Sequence, residues 1–455
     1  MRRFAFGLGT LLLSGCTHFT ATSSTTSSGT STSAGTGGAS TSSTGTGTGG
    51  AAPVATISVV DETGGPRVGE VVVVSDPAGM VVATLKTDAS GKTTSTLPMN
   101  GMVSVLFPSP TAPTALAYAS PPVAGPIRFV VARALLQNVP KTFAMSATGS
   151  PDKVTFFASC APLGIAATAG AGSLTSYTGC PGQSTFDVGA VAYDAMGKVS
   201  AFQLDSAYKF SDPTTIPAFA LTPTATAQTT VGATAQAIPA TAVNYLLNVR
   251  GRRGGDDLFE QRATSAFVAG AMTTSTLNVT MPAVAGSFDE FDILQELDDA
   301  MMASWGTLAH ATTLPTTVTW AANQTAAPID PASKPNLIQA RFGYALGTGT
   351  PGDVVALTIF QAVPNGTGRV WTVFAPPTAT GSFTLPTLAA PYTDENIQFT
   401  QTTVTTVDTK LDMGTGFNAF AGAGANAQFR TPAALPYPVI GYGTFAGIQR
   451  VYPAQ

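Results

Sequence analysis

Six carboxylates, Asp289, Glu290, Asp292, Glu296, Asp298 and Asp299, fall within eleven residues of a chain in which only 10% of residues are charged. Two kinds of chemistry use such a group. Paired carboxylates perform acid–base work, as in glycoside hydrolysis, and clustered carboxylate oxygens hold Ca²⁺. The surrounding residues favour a plainer reading. Ser287-Phe288-Asp289-Glu290 has the form of a capping box. Phe291, Leu294, Leu297, Met301, Trp305 and Leu308 then recur at three or four residues. The spacing predicts a helix over about 288–304, with Leu294 and Leu297 buried and the acids outside. Asp289 and Glu290 would sit at its positive end. A charged outer face is the ordinary amphipathic pattern. The six acids are therefore read first as a solvated stripe, second as a cation or partner site, and last as catalytic groups.

Other chemistry-bearing residues are scarce. Of two histidines, His18 lies near the N-terminus, which leaves His310. That excludes a His-rich zinc site, and any Ser-His-Asp triad would have to use His310. No G-x-S-x-G elbow occurs in the expected folded region. Gly347-Thr348-Gly349-Thr350-Pro351-Gly352 fits G-x-G-x-x-G, but Pro351 interrupts it and a strand-like run follows where a dinucleotide site needs a helix. Lys86 to Thr93 nearly fits a phosphate-binding loop but lacks its first Gly. Both are read as hairpin turns. Asp187, Asp194, Asp205, Asp353 and Asp394 are far apart in sequence and could still meet in space as carboxylate pairs. No catalytic residue, metal or cofactor is assigned, and the chain is expected not to be an enzyme.

Arg250, Arg252 and Arg253 form the one tight basic group, and Asp256, Asp257 and Glu260 follow at once. Cross-strand pairing around a Gly254-Gly255 turn accounts for them. With no basic stripe and a formal net charge of -4, the footprint of a nucleic-acid-binding protein is missing.

The elements that must position these residues are strands. Few charges, many β-branched residues, 47 Gly and 33 Pro read as short strands joined by turns. The expected fold class is mainly β, with tandem Ig-like or transthyretin-like β-sandwich domains after a disordered tether, and one short helix. Three domains are expected, over 53–139, 140–285 and 286–455. In the second, Thr142–Ala147, Val154–Ser159, Ser184–Tyr193 and Val199–Asp205 alternate as half-buried strands, and Tyr245–Val249 with Leu258–Arg262 reads as a hairpin. In the third, Thr316–Ala321, Asn336–Leu346, Val354–Val363 and Val370–Ala375 follow the predicted helix, and 414–428 reads as a Gly/Ala/Asn-rich loop.

The N-terminus carries the most specific pattern. Arg2 and Arg3 precede an apolar run, Phe4 to Leu13, too short to span a bilayer as a helix. Leu13-Ser14-Gly15-Cys16 then resembles the lipobox of bacterial lipoproteins, a Leu and two small residues before the Cys that accepts diacylglycerol. The resemblance implies a signal peptide over 1–15, cleavage before Cys16, and a lipidated Cys16 as first residue. Several acyl chains anchor stably, since each buried CH₂ contributes about 0.8 kcal/mol. Residues 17–52 are almost wholly Ser, Thr, Gly and Ala, with no charge, and cannot bury enough apolar surface to fold. They read as a tether of roughly 30–35 Å root-mean-square span. Thr17, not Asp, follows Cys16, which resembles outer-membrane sorting. In an exported chain the two remaining cysteines, Cys160 and Cys180, are expected to form a disulfide, and no C-x-x-C pair suggests redox catalysis.

Residues 57–107 carry a second resemblance. Asp61, Gly64, Gly65, Pro66, Val68 and Gly69, the Val71–Ser75 strand, Thr87-Asp88-Ala89-Ser90-Gly91 and Leu97-Pro98-Met99-Asn100-Gly101 resemble a carboxypeptidase-regulatory-like (transthyretin-like) β-sandwich. Arg67 intervenes where the family has Pro-Val directly. The family module is a non-catalytic spacer or binding unit. Together these readings describe a non-enzymatic, lipid-anchored protein of the cell envelope, expected at the outer membrane. Its partners would be the membrane, through the anchor, and a polysaccharide or protein ligand. The alternatives are a carboxylate-dependent enzyme acting on carbohydrate or peptide, and a subunit of an envelope secretion or transport assembly.

The lipobox yields a direct test. Replacing Cys16 with Ser should abolish acyl labelling and move the chain into the aqueous phase on detergent partitioning. A variant that keeps its acyl label would refute the anchor.

Overall fold

The computed structural model describes residues 54–453, apart from 62–63, 108–113, 123, 132–139, 149–152, 159–160, 168–170, 178–184, 196–198, 210–217, 222–227, 255, 285, 323–325, 331–333, 338, 363–367, 390–399, 412–415, 425–428, 431–439 and 442. The signal-peptide, Cys16 and tether expectations, the Cys160–Cys180 disulfide and Asp394 therefore lie outside the described residues.

The chain is mainly β, as its composition predicts. Seven strands come first: β1 (Val54–Asp61), β2 (Val71–Ser75), β3 (Val81–Lys86), β4 (Lys92–Thr96), β5 (Met102–Phe107), β6 (Thr114–Ala119) and β7 (Gly125–Val131). Next are β8 (Pro140–Thr148), β9 (Lys153–Ala158), β10 (Ala161–Ala167), β11 (Ala171–Tyr177), β12 (Thr185–Tyr193), β13 (Val199–Lys209) and β14 (Phe219–Ala220). They are followed by β15 (Gln228–Gln236), β16 (Ala242–Arg253), β17 (Asp256–Ala266) and β18 (Thr274–Pro282). The remainder comprises β19 (Glu290–Asp299), β20 (Ala303–Ala311), β21 (Thr317–Ala321), β22 (Pro328–Ile329), β23 (Arg341–Leu346), β24 (Val354–Ala362), β25 (Gly368–Ala375), β26 (Thr380–Thr384), β27 (Gln401–Leu411), helix α1 (Gly416–Ala423), β28 (Phe429–Arg430), β29 (Ile440–Gly441) and β30 (Gly443–Pro453).

Strands from all three sequence segments join in one twelve-stranded sheet, ordered β17-β16-β19-β20-β30-β27-β24-β25-β6-β5-β2-β3. Smaller sheets sandwich it. The β4-β1-β7 sheet and α1 pack on one face, around Ile57, Val72, Val105, Phe129, Val354 and Phe420. On the other face, β22-β23-β26 encloses Val73, Leu357, Trp371, Phe342 and Tyr344. Further along that same face, β18-β15-β21 encloses Val231, Tyr245, Leu247, Ile293 and Trp320. The four-stranded sheet β10-β9-β12-β13 continues the layering. It places Phe157 and Val191 in that last core and Phe156 and Val188 in a separate one with Phe219 of β14.

Strands covered on both faces explain the unbroken apolar runs. Val71–Ser75 sends Val72 and Val74 into one core and Val73 into another, and Val354–Ala362 divides in the same way. Turns also follow local chemistry. Asp88 Oδ1 accepts hydrogen bonds from the backbone N–H groups of Ser90 and Lys92 and from the Ser90 hydroxyl, and Gly91 takes a φ of +71°. The 86–93 and 347–352 segments link β3 to β4 and β23 to β24, so neither opens a helix.

The helix predicted over 288–304 is not formed. Residues 290–299 and 303–311 are the paired strands β19 and β20. The segment also carries a two-residue alternation. Phe291, Ile293 and Leu297 face one core, while Glu290, Asp292, Leu294, Glu296 and Asp298 share the opposite face. Pairing with β16 along one edge and β20 along the other satisfies both sets of backbone groups, so tertiary context overrides the helical spacing. The turn is made by Asp299, whose Oδ1 accepts N–H groups of Met301 and Ala303, with Met302 at φ 65°. Leu294 and Leu297 are buried as expected, but the acids are not a solvent stripe: Asp292 and Glu296 are also buried. The helix that does form, α1, lies in the stretch read as a loop. Its eight residues are too few for stability alone. Phe417 and Phe420 dock against Tyr118, and Phe420 against Phe374 at 5.3 Å between ring centroids.

Several ladders close over a glycine capped by an aromatic ring. A Cβ on Gly306 would lie 2.3 Å from Phe445 Cζ and 2.6 Å from the Gln295 carbonyl oxygen. Gly306→Ala should therefore destabilise the fold by about 1–3 kcal/mol, read as a lower urea midpoint. Gly232→Ala, whose new Cβ meets only the end of the Asn278 side chain at 3.2 Å, should change the midpoint far less. Equal midpoints for the two variants would contradict this packing.

Candidate functional site

The β16–β17 hairpin places Arg250 opposite Glu260, and β19 places Asp292 beside Arg250 and Glu290 beside Arg252. The anticipated cross-strand pairing is thus partly realised. Arg250 donates to Glu260 at 3.1 Å, and Arg262 reaches the other oxygen of the same carboxylate at 2.6 Å. Arg252 instead turns to β19, 3.2 Å from Glu290 and 3.8 Å from Asp292. Arg253 pairs with Asp187 at 3.4 Å. His310 on β20 completes the group, with Nδ1 3.3 Å from Asp292 Oδ1 and Nε2 3.9 Å from Glu290. Burial works to raise the Glu260 pKa, but Arg250 and Arg262 together outweigh it and hold the group below the usual carboxylate value.

The six acids found in the sequence have separate tasks. Asp289 accepts the Gly254 N–H at 2.9 Å, and Asp299 ties its turn. Glu290 and Asp292 engage Arg252 and flank His310. Glu296 has no solvent exposure, and neither carboxylate oxygen has a hydrogen-bond partner at good geometry. Burial, reinforced by the neighbouring Asp298 charge, pushes its pKa well up. Burial also raises Asp298, against the opposing hydrogen bonds from Glu296 and Asn244. Among the described residues, no group of three or more His, Cys, Asp or Glu side chains is placed to hold a metal ion.

The remaining candidate acids do not gather. Asp205 meets Gln203, and Asp187 is engaged by Arg253. Asp353 is the exception. Its Oδ2 accepts the Leu411 N–H, and its charge acts on Asp408, which the sequence reading missed. Asp408 is fully buried on β27 and accepts the Gly352 N–H at 2.9 Å. Burial first, with the Asp353 charge added, drives it up to about 7. The available signal was an Asp within the Thr/Val run 402–409, which a strand covered on both faces must bury.

A concave surface lies elsewhere. A groove of about 990 Å³ runs between β26 and the ends of β2, β5, β6 and β25. Asn100, Ser120 and Pro376 contribute to one wall, and Thr380 to Thr384 form the other. Tyr344 lies across Gly381 and donates its hydroxyl hydrogen to the Pro376 carbonyl at 2.5 Å. Arg341 is the one charged side chain in the lining, and no carboxylate faces it. Asn100 and Ser120 hold left-handed backbone, at φ 57° and 49°, conformations that are costly for non-Gly residues.

No known protein family matches the sequence, and no curated protein matches it. Similar solved structures include a leucine-rich repeat protein of Bacteroides thetaiotaomicron (10% identity, TM-score 0.16, 40% of this chain and 25% of that one). Another is the TIE protein of Bacillus anthracis (8%, 0.16, 59% and 50%). A third is the major pilin subunit of Bacillus cereus (8%, 0.16, 59% and 98%). The chain thus spans a quarter and a half of the first two relatives' lengths. Likeness at these TM-scores carries no argument about this chain.

The buried acids make stability depend on pH. A carboxyl raised in the folded state contributes stability below its unfolded pKa and loses it as pH rises through the folded value. For Asp408 that window runs from its ordinary 3.8 to about 7, corresponding to ~4 kcal/mol at most. Asp408→Asn should be more stable than the parent at pH 8 by up to a few kcal/mol and equal to it near pH 3.5. Denaturant midpoints at the two pH values check this, and a difference independent of pH would refute it.

Proposed function

We propose that this chain is a lipid-anchored protein of the bacterial cell envelope, placed at the outer membrane, whose β-sandwich body is a non-enzymatic ligand-binding surface. Cys16 would carry the lipid and residues 17–52 the tether, with Cys160 and Cys180 joined in the oxidising envelope. One observation carries the binding reading. The acids that sequence offers for chemistry are bound to arginines, tied into turns or buried within the sheets. The groove beside β26 is lined instead by hydroxyls, amides, apolar side chains such as Phe383 and Pro376, and one guanidinium. Acid–base catalysis needs titratable groups converging on a cleft, whereas this lining suits recognition. The carboxypeptidase-regulatory-like resemblance of residues 57–107 supports the same reading, because two turns of that segment, at Ala78 and Asn100, contribute to the groove wall.

In-cell crosslinking from the groove, followed by identification of the attached molecule, tests the proposal alongside an activity screen on polysaccharides and peptides. Capture of a ligand that is recovered chemically unchanged is the expected result. Turnover that disappears in Asp408→Asn or Glu296→Gln would overturn it.

A further inference from the structure

Among the described strands, β26 has one partner. It pairs with β23, and its other edge lines the groove. The ladder shows which backbone groups point each way. Leu385 donates to the Ala340 carbonyl, and Leu346 donates to the Ala379 carbonyl, so these are hydrogen-bonded pairs. In an antiparallel ladder such pairs alternate with pairs whose N–H and C=O groups point away from each other. Given the register Arg341↔Thr384 and Gly343↔Ser382, the groups of Thr380, Ser382 and Thr384 point away from β23. The Thr380 carbonyl accepts the Thr378 hydroxyl. Among the described residues, the outward groups of Ser382 and Thr384 have no hydrogen-bond partner. The exposed stretch from Thr380 to Ser382 extends for about 10 Å at ~3.3 Å per residue, enough for a short bridge to an added strand.

Features that normally protect an edge are missing along β26. It has no Pro and no charged residue, and Thr380 and Ser382 are exposed. At its Thr384 end the edge is met by the Gly79 turn, whose carbonyl accepts the Thr387 N–H, so the uncovered stretch is Thr380 to Ser382. At one end the lining is cationic. Arg341 lines both this groove and a smaller one of about 250 Å³, where Lys334 joins it with Asn336 and Gln339. Among the described residues neither cation has a carboxylate partner and no Asp or Glu lines either cavity, although the whole chain carries a net charge of -4.

We propose that β26 is a docking edge for an extended peptide segment of another protein, which adds as a strand and places an acidic side chain against Arg341 and Lys334. Unsatisfied ladder groups supply affinity along the backbone, and the two cations set register and preference. This deepens the ligand-binding reading and rests on it. Peptide is favoured over polysaccharide because the N–H and C=O groups of an extended chain repeat in register with those of β26, whereas sugar hydroxyls do not.

The test uses the full chain and an array of eight-residue peptides built from Thr, Ser, Val and Ile, with one Asp, Lys or Ala placed at each position in turn. Asp peptides should bind at least tenfold more tightly than the Lys series. In the best binder, N-methylation of one alternate set of amides should reduce binding tenfold or more, while methylation of the other set should leave it unchanged. Arg341→Glu, which changes an exposed side chain with no partner, should reverse the Asp-over-Lys preference. Failure of any peptide to saturate, or equal effects of the two methylation patterns, would overturn the proposal. So would a uronic-acid hexasaccharide that binds where the peptides do not, or self-association that Ser382→Pro abolishes, since this would make a second copy the occupant. Cleavage of a bound peptide would leave the docking edge standing and remove the non-enzymatic reading, so the two can fail separately.

Discussion

The parallel ladder between β6 and β25, from Val370↔Thr114 to Phe374↔Tyr118, is the seam on which the architecture depends. On one side of it lie β5, β2 and β3, and on the other lie the strands of the C-terminal half and the β16–β17 hairpin. Without it the twelve-stranded sheet would be two sheets with exposed edges. Its side chains show why it holds. Tyr118 and Phe374 meet on one face at 5.8 Å between centroids, while Trp371 and Val373 enter the core of the other. Completely burying side chains of this size contributes about 1.5–3 kcal/mol each. The same seam sets one wall of the groove, because the ends of β6 and β25 stand beside each other there.

A sheet covered on both faces leaves few places for charge. Several cations, Arg67, Arg250, Arg253 and Arg450 among them, are placed where carboxylates answer them. Arg252, with 4% of its side chain exposed, faces Glu290 and Asp292. Removing one member of such a buried pair is strongly destabilising, by about 3–5 kcal/mol, because the other is left without compensation. Glu296 and Asp408 follow the opposite course: burial without a cation holds them toward the protonated form. Arg341 and Lys334 differ from these groups, being exposed and, among the described residues, without a carboxylate partner.

Aromatic rings lying across glycines recur through the sheets. Phe157 covers Gly189, Phe445 covers Gly306 and Tyr344 covers Gly381, each from the directly opposed residue on the neighbouring strand. A glycine in a strand loses packing and chain entropy, and the ring restores contact area. At Gly381 the arrangement also serves the groove. The ring fixes one wall through the hydroxyl contact with Pro376, and it occupies the space that a side chain at Gly381 would need.

Sequence by itself determined the class of this protein and much of its punctuation. Few charges and many β-branched residues admit only strands, and Asp88 with Gly91 or the Gly254 turn are local chemistry that needs no distant partner. The apolar runs at 71–75 and 354–362 already announced strands buried on both faces. Segment 288–311 was undecidable locally, because its apolar residues satisfy a period of 3.6 and a period of 2 together. Only β16 and β20, whose backbone groups pair with it on both sides, decided for strand. That choice moved Asp292 and Glu296 from an expected solvent face into the interior. Helix α1 was equally illegible, since its eight residues are held by Tyr118 and Phe374 from distant strands. The groove belongs wholly to tertiary structure. Its walls come from residues about 300 apart in sequence, Ala78 and Thr384 among them, and the open edge of β26 exists only because the fold gives that strand a single neighbour.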